Sequence, residues 1–298
     1  MRVYRKKCLR RKVGNSVNKL YLGCHLSIAK GFTAAVRDAV SIDANSFQFF
    51  TRNPRGGAAK DYSMQDLTES ANLLRENSFG PLLAHAPYTM NLCSAKEEVR
   101  KFALDILKDD YDRVRSLPYE ARYLFHPGSH IGLGTEQGIT HIIAALNQVV
   151  KEEDGPWVLL EGMTGKGTEI GSTFEELKQI IEGVTHTKKL GICIDTCHLH
   201  AAGYDIVHQP KEVLRELDRV IGLHKVMGVH VNDNMNQFNS HKDRHAPIGE
   251  GSIGTEAIVT FINQPELAGL PFNLETPNEL EGYAAEIALL RRLSSTRS

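Results

Sequence analysis

The chain has 298 residues, of which 41% are hydrophobic and 24% are charged, so it can bury a substantial core. Its formal net charge is −1 and its pI is about 6.9, which excludes a globally basic surface and confines any nucleic-acid-binding surface to a local patch. No apolar run approaches the roughly 20 residues of a membrane span, and the N-terminus lacks the apolar region of a secretory signal.

The first segment in the chain is strongly basic. The stretch MRVYRKKCLRRKVGNSVNKL (1–20) carries eight Lys or Arg residues and no acidic residue. We predict that residues 1–19 form a disordered, solvated extension; a phosphate-contacting arm and a cleaved targeting segment are the alternatives. Residues 20–298 are predicted to form one domain.

After this extension, short apolar runs alternate with helix-like stretches. The predicted strands are LYLGCHL (20–26), SFQFF (46–50), GPLLAHAP (80–87), ARYLFHPG (121–128), PWVLLEG (156–162), LGICIDT (190–196), VMGVHVND (226–233) and PFNLET (271–276). The predicted helices lie near 31–43, 64–78, 95–116, 136–151, 173–185, 211–223, 255–263 and 279–293. Thr173, with Glu176 three residues later, has the spacing of a capping box.

Eight consecutive strand–helix units predict an α/β fold, a single-domain (β/α)8 TIM barrel. The apolar runs are continuous, as expected of strands that are buried on both faces. The competing fold is a doubly wound open sheet. Its dinucleotide-binding form is disfavoured because no GxGxxG follows the first strand. The long loops after strands two and seven are predicted to bind substrate.

Polar residues occupy the ends of six predicted strands, and a barrel places its active site at these ends. Alone, each has an ordinary structural explanation; Asp195, for example, could cap a helix. Together with three residues from the following loops they form a predicted metal centre. Its members are His85, His126, Glu161, Asp195, His198, His230, Asp243, His245 and Glu275.

Five imidazoles and four carboxylates are a donor set that suits Zn²⁺, Fe²⁺ or Mn²⁺ and matches Mg²⁺ poorly. A catalytic zinc ion takes about three protein ligands, so nine ligands indicate two or three ions. Three divalent ions would leave the cluster electropositive and attractive to phosphate. The residues therefore predict metal-assisted hydrolysis, with a phosphodiester as the best-matched substrate.

Four motifs are similar to a known family. HPGSH (126–130), CIDTCHLHAAGYD (193–205), GVHVNDNMNQFNSHKDRHAPIGEGSIG (228–254) and NLET (273–276) closely resemble the endonuclease IV family of apurinic/apyrimidinic endonucleases. The resemblance extends from about residue 21 to residue 293. It implies a zinc-dependent barrel that incises duplex DNA on the 5′ side of abasic sites, leaving a 3′-hydroxyl and a 5′-deoxyribose phosphate, and that also removes 3′-blocking groups.

The resemblance implies three zinc ions per chain, for which Mn²⁺ or Fe²⁺ can substitute. His85, His126 and Glu161 would hold the first ion. Glu161, Asp195, His230 and Glu275 would hold the second, and His198, Asp243 and His245 the third. Glu161 would bridge two ions and position the attacking hydroxide.

The resemblance also implies contacts outside the metal centre. Tyr88 and Arg55 match side chains that enter the DNA, whereas Thr89 and Gly56–Gly57 depart from the family pattern, so the way this chain fills the DNA gap differs. His25 and His130 are expected either to hydrogen-bond to the metal ligands or to have a structural role at the barrel mouth. Further candidates for phosphate contacts are Arg52, Lys60, Lys242 and Arg244.

The expected partner is duplex DNA containing abasic sites, bound by a monomer with no membrane association. The odd number of irregularly spaced cysteines favours a reducing, cytoplasmic location, with nucleoid association if the protein is bacterial. The main rival is a metal-dependent sugar isomerase or epimerase on a related barrel, which does not need the third site. A degenerate barrel retained as a DNA-binding scaffold is the non-enzymatic alternative.

Overall fold

The computed structural model describes residues 19–55, 57–151 and 155–295. The predicted basic extension lies outside these residues except for Lys19, and Gly56 also lies outside them. No helix within the described ranges is long and apolar enough to cross a membrane.

Eight parallel strands form the barrel, and a two-stranded hairpin follows its seventh strand. In chain order the strands are β1 (Tyr21–Cys24), β2 (Gln48–Phe50), β3 (Leu82–His85), β4 (Ala121–Phe125), β5 (Val158–Glu161), β6 (Leu190–Asp195), β7 (Val226–Val231), β8 (Asp233–Asn234), β9 (His245–Ala246) and β10 (Pro271–Leu274). The sheet order is β1-β10-β7-β6-β5-β4-β3-β2, and β8 pairs with β9 antiparallel. A parallel bridge between His25 and Gln48 joins the two ends of the order, so the predicted TIM barrel is confirmed.

The helices surround this sheet. They are α1 (Phe32–Ser41), α2 (Met64–Glu76), α3 (Glu97–Arg115), α4 (Thr135–Val149), α5 (Phe174–Gly183), α6 (Thr196–Ala201), α7 (Pro210–Val220), α8 (Thr255–Ile262) and α9 (Leu280–Ser295). In α7 the buried residues Val213, Leu214, Leu217 and Val220 recur at helical spacing, which gives the helix one apolar face toward the barrel.

The predicted capping box at α5 is half formed. The hydroxyl of Thr173 accepts a hydrogen bond from Glu176 N at 3.2 Å, as predicted. The Glu176 carboxylate does not return to Thr173 N; it accepts instead from Gly171 N and Ser172 N at 2.8 and 3.1 Å. The helix start is therefore stabilised together with the loop before it.

The barrel interior is apolar in one layer and polar in the next. The apolar layer comes from five neighbouring strands and consists of Leu83, Leu124, Leu159, Cys193 and Met227. Side chains alternate between the two faces of a strand, so the residue two positions later faces the interior again. Two positions beyond the first four of these residues lie His85, His126, Glu161 and Asp195. The period of the strands therefore places the polar residues directly above the apolar layer.

Candidate metal centre

Glu161 lies at the centre of the polar layer and is fully buried. Its Oε2 is 3.3 Å from His85 Nε2 and 3.2 Å from His126 Nε2. Its Oε1 is 3.0 Å from His230 Nδ1 and 3.3 Å from His198 Nδ1. One carboxylate therefore contacts histidines on two sides, as the ligand of two adjacent ions would have to.

The first group of potential ligands is His85, His126 and Glu161, whose ligand atoms lie within 4.8 Å of one another. His85 ends β3 and Glu161 ends β5, while His126 directly follows β4. Three consecutive strands of the sheet thus supply one side chain each.

The second group is Glu161, Asp195, His230 and Glu275, again within 4.8 Å. His230 Nδ1 lies 3.1 Å from Glu275 Oε2 and 3.7 Å from Asp195 Oδ2. His230 is the penultimate residue of β7 rather than its last, and it pairs in register with Asp195. Asp195 has two roles: its Oδ1 caps α6 by accepting from His198 N, and its Oδ2 faces the cluster.

The third group comes from the segments that follow the barrel strands β6 and β7. His198 Nε2 and His245 Nε2 lie 3.4 and 3.3 Å from the same atom, Asp243 Oδ1. The hairpin β8–β9 holds His245 in place. Asp233 anchors this hairpin, because its buried carboxylate accepts hydrogen bonds from the backbone N–H of Asn234, Gly249, Gly251, Ile253 and Gly254.

The donor set fits divalent cations. The buried side-chain atoms that lack a hydrogen-bond partner within the described residues include three from the cluster: Glu161 Oε2, His198 Nε2 and His245 Nε2. Buried polar atoms are rarely left unpaired because desolvating them costs free energy. Buried nitrogen and oxygen atoms that converge without hydrogen-bond partners are the arrangement a bound cation needs.

The histidine tautomers fit as well. The Nδ1–H groups of His85, His198 and His245 face backbone carbonyl oxygens, those of Ala86, Gly162 and Glu275, at 2.5, 2.9 and 3.1 Å. A hydrogen bond of this kind fixes the tautomer and leaves Nε2 available to a metal ion.

The cluster is strongly coupled electrostatically. Burial alone would raise the pKa of Glu161, but the charges of His230 and His126 outweigh it and hold this pKa well below its usual range. Burial opposes protonation of His245, yet the Asp243 carboxylate, 3.3 Å from its Nε2, raises the pKa of His245 to about 9. Without cations, raised pKa values favour protons on His230 and His245 beside the carboxylates, so bound ions would have to displace protons.

Two further residues contribute to the cluster although no motif in the sequence marks them. Gln48 and Asn232 are fully buried and bridge pairs of cluster residues. Asn232 Nδ2 donates to Asp195 Oδ2 at 2.7 Å, and Asn232 Oδ1 accepts from Glu275 N at 2.9 Å. The available signal was a polar residue inside an apolar run, in SFQFF and in VMGVHVND.

The predicted DNA contacts have different surroundings. Tyr88 is 60% exposed, and its ring centroid lies 5.7 Å from that of His85 and 5.8 Å from that of His126, so it stands at the rim of the cluster. Arg55 is exposed. Arg52 is not available to phosphate: its guanidinium pairs with Asp109 and Asp110 at 2.5 Å, and its side chain is only 6% exposed.

The two supporting histidines also differ. His25 Nδ1 accepts a hydrogen bond from Gln48 Nε2 at 3.1 Å, and Gln48 in turn contacts the cluster. His130 instead stabilises its own loop, because its Nδ1 accepts a hydrogen bond from Gly134 N at 3.0 Å. The structure thus gives His130 a structural contact at the start of α4.

Comparison with known proteins shows the family to which the chain belongs. A family model described as a xylose isomerase-like TIM barrel matches residues 36–293. The "Probable endonuclease 4" of Alkaliphilus oremlandii is 55% identical over 272 residues, covering 91% of this chain and 96% of that protein. That of Clostridium beijerinckii is 54% identical over 274 residues, covering 92% and 99%. The chain belongs to the endonuclease IV family.

Solved structures lead to the same family. The crystal structure of endonuclease IV from Thermus thermophilus has a TM-score of 0.81 and 34% identity, and the match covers 93% of this chain and 99% of that one. A 3-keto-D-glucoside 4-epimerase from E. coli has a TM-score of 0.66 at 13% identity, which shows a shared fold alone. The predicted family and enzyme class are confirmed.

Proposed function

We propose that this member of the endonuclease IV family is a DNA-repair enzyme that hydrolyses the phosphodiester 5′ to an abasic site in duplex DNA. The observation that carries the proposal is the convergence of His, Asp and Glu side chains on one barrel mouth, where His198 and His245 also meet Asp243 and three buried ligand atoms have no hydrogen-bond partner within the described residues. The identity of more than half with proteins named "Probable endonuclease 4" over nearly the whole chain supports it.

We propose that the three groups hold three zinc ions, with Mn²⁺ or Fe²⁺ as substitutes. His85, His126 and Glu161 would hold the first; Glu161, Asp195, His230 and Glu275 the second; and His198, Asp243 and His245 the third. When bound, such ions lower the pKa of a water molecule and stabilise charge on phosphate oxygens. The third group distinguishes the proposal from a one- or two-metal isomerase.

The chain's own residues would fix the geometry of the reaction. Glu161 ties two ligand groups together through its two oxygens, so it sets their separation and orients the attacking water. Water adds to phosphorus, the bond to the 3′ oxygen breaks, and that oxygen takes up the proton of the water. The products would be a 3′-hydroxyl and a 5′-deoxyribose phosphate. The same chemistry at a 3′ terminus would remove blocking groups.

Recognition of the damaged duplex would come from the rim. Tyr88 projects from the segment after β3, and its backbone N–H donates to Pro54 O at 3.0 Å, which joins it to the loop that carries Arg55. An exposed aromatic ring next to a flexible cation can fill the gap left by a missing base and stack on its neighbours. We propose that the enzyme binds DNA as a monomer.

The direct test uses a duplex with one abasic analogue at a defined position. The proposal predicts a single cut on its 5′ side, no cut in the intact duplex, and loss of activity after prolonged chelation with recovery on adding zinc. Elemental analysis of the same sample should find about three zinc ions per chain. An uncut abasic duplex with a fully loaded protein would refute the proposal.

A further inference from the structure

Gln48 is a buried amide in contact with the metal centre. It lies on β2 and is fully buried among aromatic neighbours in SFQFF. Its Nε2 donates to Glu275 Oε1 at 2.5 Å and to His25 Nδ1 at 3.1 Å, and its Oε1 lies 2.6 Å from His230 Nε2. The orientation of the amide is determined by chemistry: an ionised Glu275 can only accept, so the nitrogen must face it and the oxygen must face His230.

This contact makes His230 different from the other histidines. His85, His198 and His245 donate Nδ1–H to backbone carbonyls and present Nε2 to the cluster. His230 is reversed, because Nδ1 faces Glu161 and Glu275 at 3.0 and 3.1 Å while Nε2 faces Gln48. The backbone carbonyls that accept from His85, His198 and His245 remain after any side-chain substitution. The acceptor for His230 is the side chain of Gln48, which a substitution can remove.

The reversed orientation of the His230 ring would allow a proton on Nδ1 to compete with a metal ion. A proton on Nδ1 of His230 would find two carboxylate acceptors within 3.1 Å and would occupy the position of a metal ion. The Gln48 oxygen favours the opposite tautomer, with the hydrogen on Nε2. At the same time the Gln48 nitrogen fixes one oxygen of Glu275 and leaves Oε2 directed toward His230.

We propose that Gln48 is a positioning residue that holds His230 in its Nε2–H tautomer and orients Glu275, and so sets the affinity of the second metal group. The inference rests on the metal centre of the proposed function. An amide suits this position, because its oxygen offers an acceptor to His230 while its NH2 group offers donors to Glu275 and His25.

The test compares wild type with Gln48→Met, which keeps the side-chain volume and removes the hydrogen bonds to Glu275, His230 and His25. Each zinc-loaded protein is dialysed against chelators of graded strength, and retained zinc is counted. Loss of such an outer contact typically weakens metal binding by about 10- to 100-fold. We therefore expect Gln48→Met to release one ion at a chelator strength lower by about that factor and to keep the others.

Ser46→Ala is the matched control. Ser46 is equally buried two residues earlier, but its hydroxyl donates to Pro81 O at 2.8 Å, away from the cluster. We expect it to retain zinc as wild type does. If Gln48→Met also retains zinc as wild type does, or if Ser46→Ala loses the ion equally, the inference is overturned.

A second measurement does not depend on a variant that folds. Long-range ¹H–¹⁵N spectra of the zinc-loaded wild type report the tautomer of each histidine. The inference predicts Nε2–H at His230 and Nδ1–H at His85, His198 and His245; Nδ1–H at His230 would overturn it. These readouts differ from cleavage, so the inference about Gln48 and the proposed reaction can fail separately.

Discussion

Replacing Glu161 by glutamine removes one charge and one ligand atom from the centre of the cluster while keeping the side-chain volume. Glu161 is fully buried, and its two oxygens contact four histidines at 3.0 to 3.3 Å. Packing therefore changes little, and any effect comes from the lost charge and the lost bridge. We expect the fold to persist and the metal centre to fail.

The magnitude follows from the cost of leaving a buried charge without its partner, about 3–5 kcal/mol. At about 1.4 kcal/mol per factor of ten, retention of the ions in the first two groups should weaken by roughly 10²- to 10⁴-fold. Cleavage should fall by at least about 10³-fold, because both groups use this carboxylate. The third group should keep its ion, since it does not include Glu161.

The assay pairs zinc analysis after dialysis with single-turnover cleavage of the abasic duplex. Glu286→Gln is the matched control, because Glu286 is also buried but accepts from Ile248 N and Thr276 Oγ1, outside the three groups. The reasoning is refuted if Glu161→Gln keeps its zinc and cuts within tenfold of wild type. It is also refuted if Glu286→Gln loses zinc to the same extent.

Three further outcomes are expected. Tyr88→Ala should reduce the preference for abasic over intact duplex by about tenfold, as loss of one stacking contact would; a matching loss of zinc would instead make the ring part of the metal site. Asp233→Asn should lower the free energy of unfolding by about 2 kcal/mol, because one amide oxygen cannot accept all the N–H donors of the loop; an unchanged denaturation curve would contradict this role. In metal-free protein the pKa of His245 is about 9, above the usual 6.5, so the stability it contributes is complete below pH 6.5 and is lost as pH rises through 9. Denaturant titrations across this window should show that loss in metal-free protein and not in zinc-loaded protein.

The barrel could be predicted because its signals are local. Each of the eight predicted strands and eight predicted helices is observed within three residues at either end. Most of the predicted strands extend past the C-terminal end of the observed strand. The fourth was predicted to reach Gly128 but ends at Phe125, since Pro127 has no N–H to donate and Gly128 adopts a φ of 103°. Such boundaries depend on the turn rather than on the apolar pattern.

The features that the sequence did not reveal depend on distant partners. The hairpin β8–β9 joins Asp233–Asn234 to His245–Ala246, and neither two-residue strand carries a pattern of its own. Arg52 was predicted to contact phosphate because of its charge. The prediction is wrong because Asp109 and Asp110, more than fifty residues later on α3, pair with its guanidinium. Gln48 was hidden for the same reason, since its role depends on residues about 180 and 230 positions away.

The most direct measurement is anomalous diffraction at the zinc absorption edge from crystals of the zinc-loaded protein. Three peaks are predicted at the barrel mouth, each about 2.0–2.2 Å from its ligands, with both oxygens of Glu161 engaged and Nδ1 rather than Nε2 of His230 bound. A single peak, or peaks away from the groups built on Glu161 and Asp243, would contradict the account.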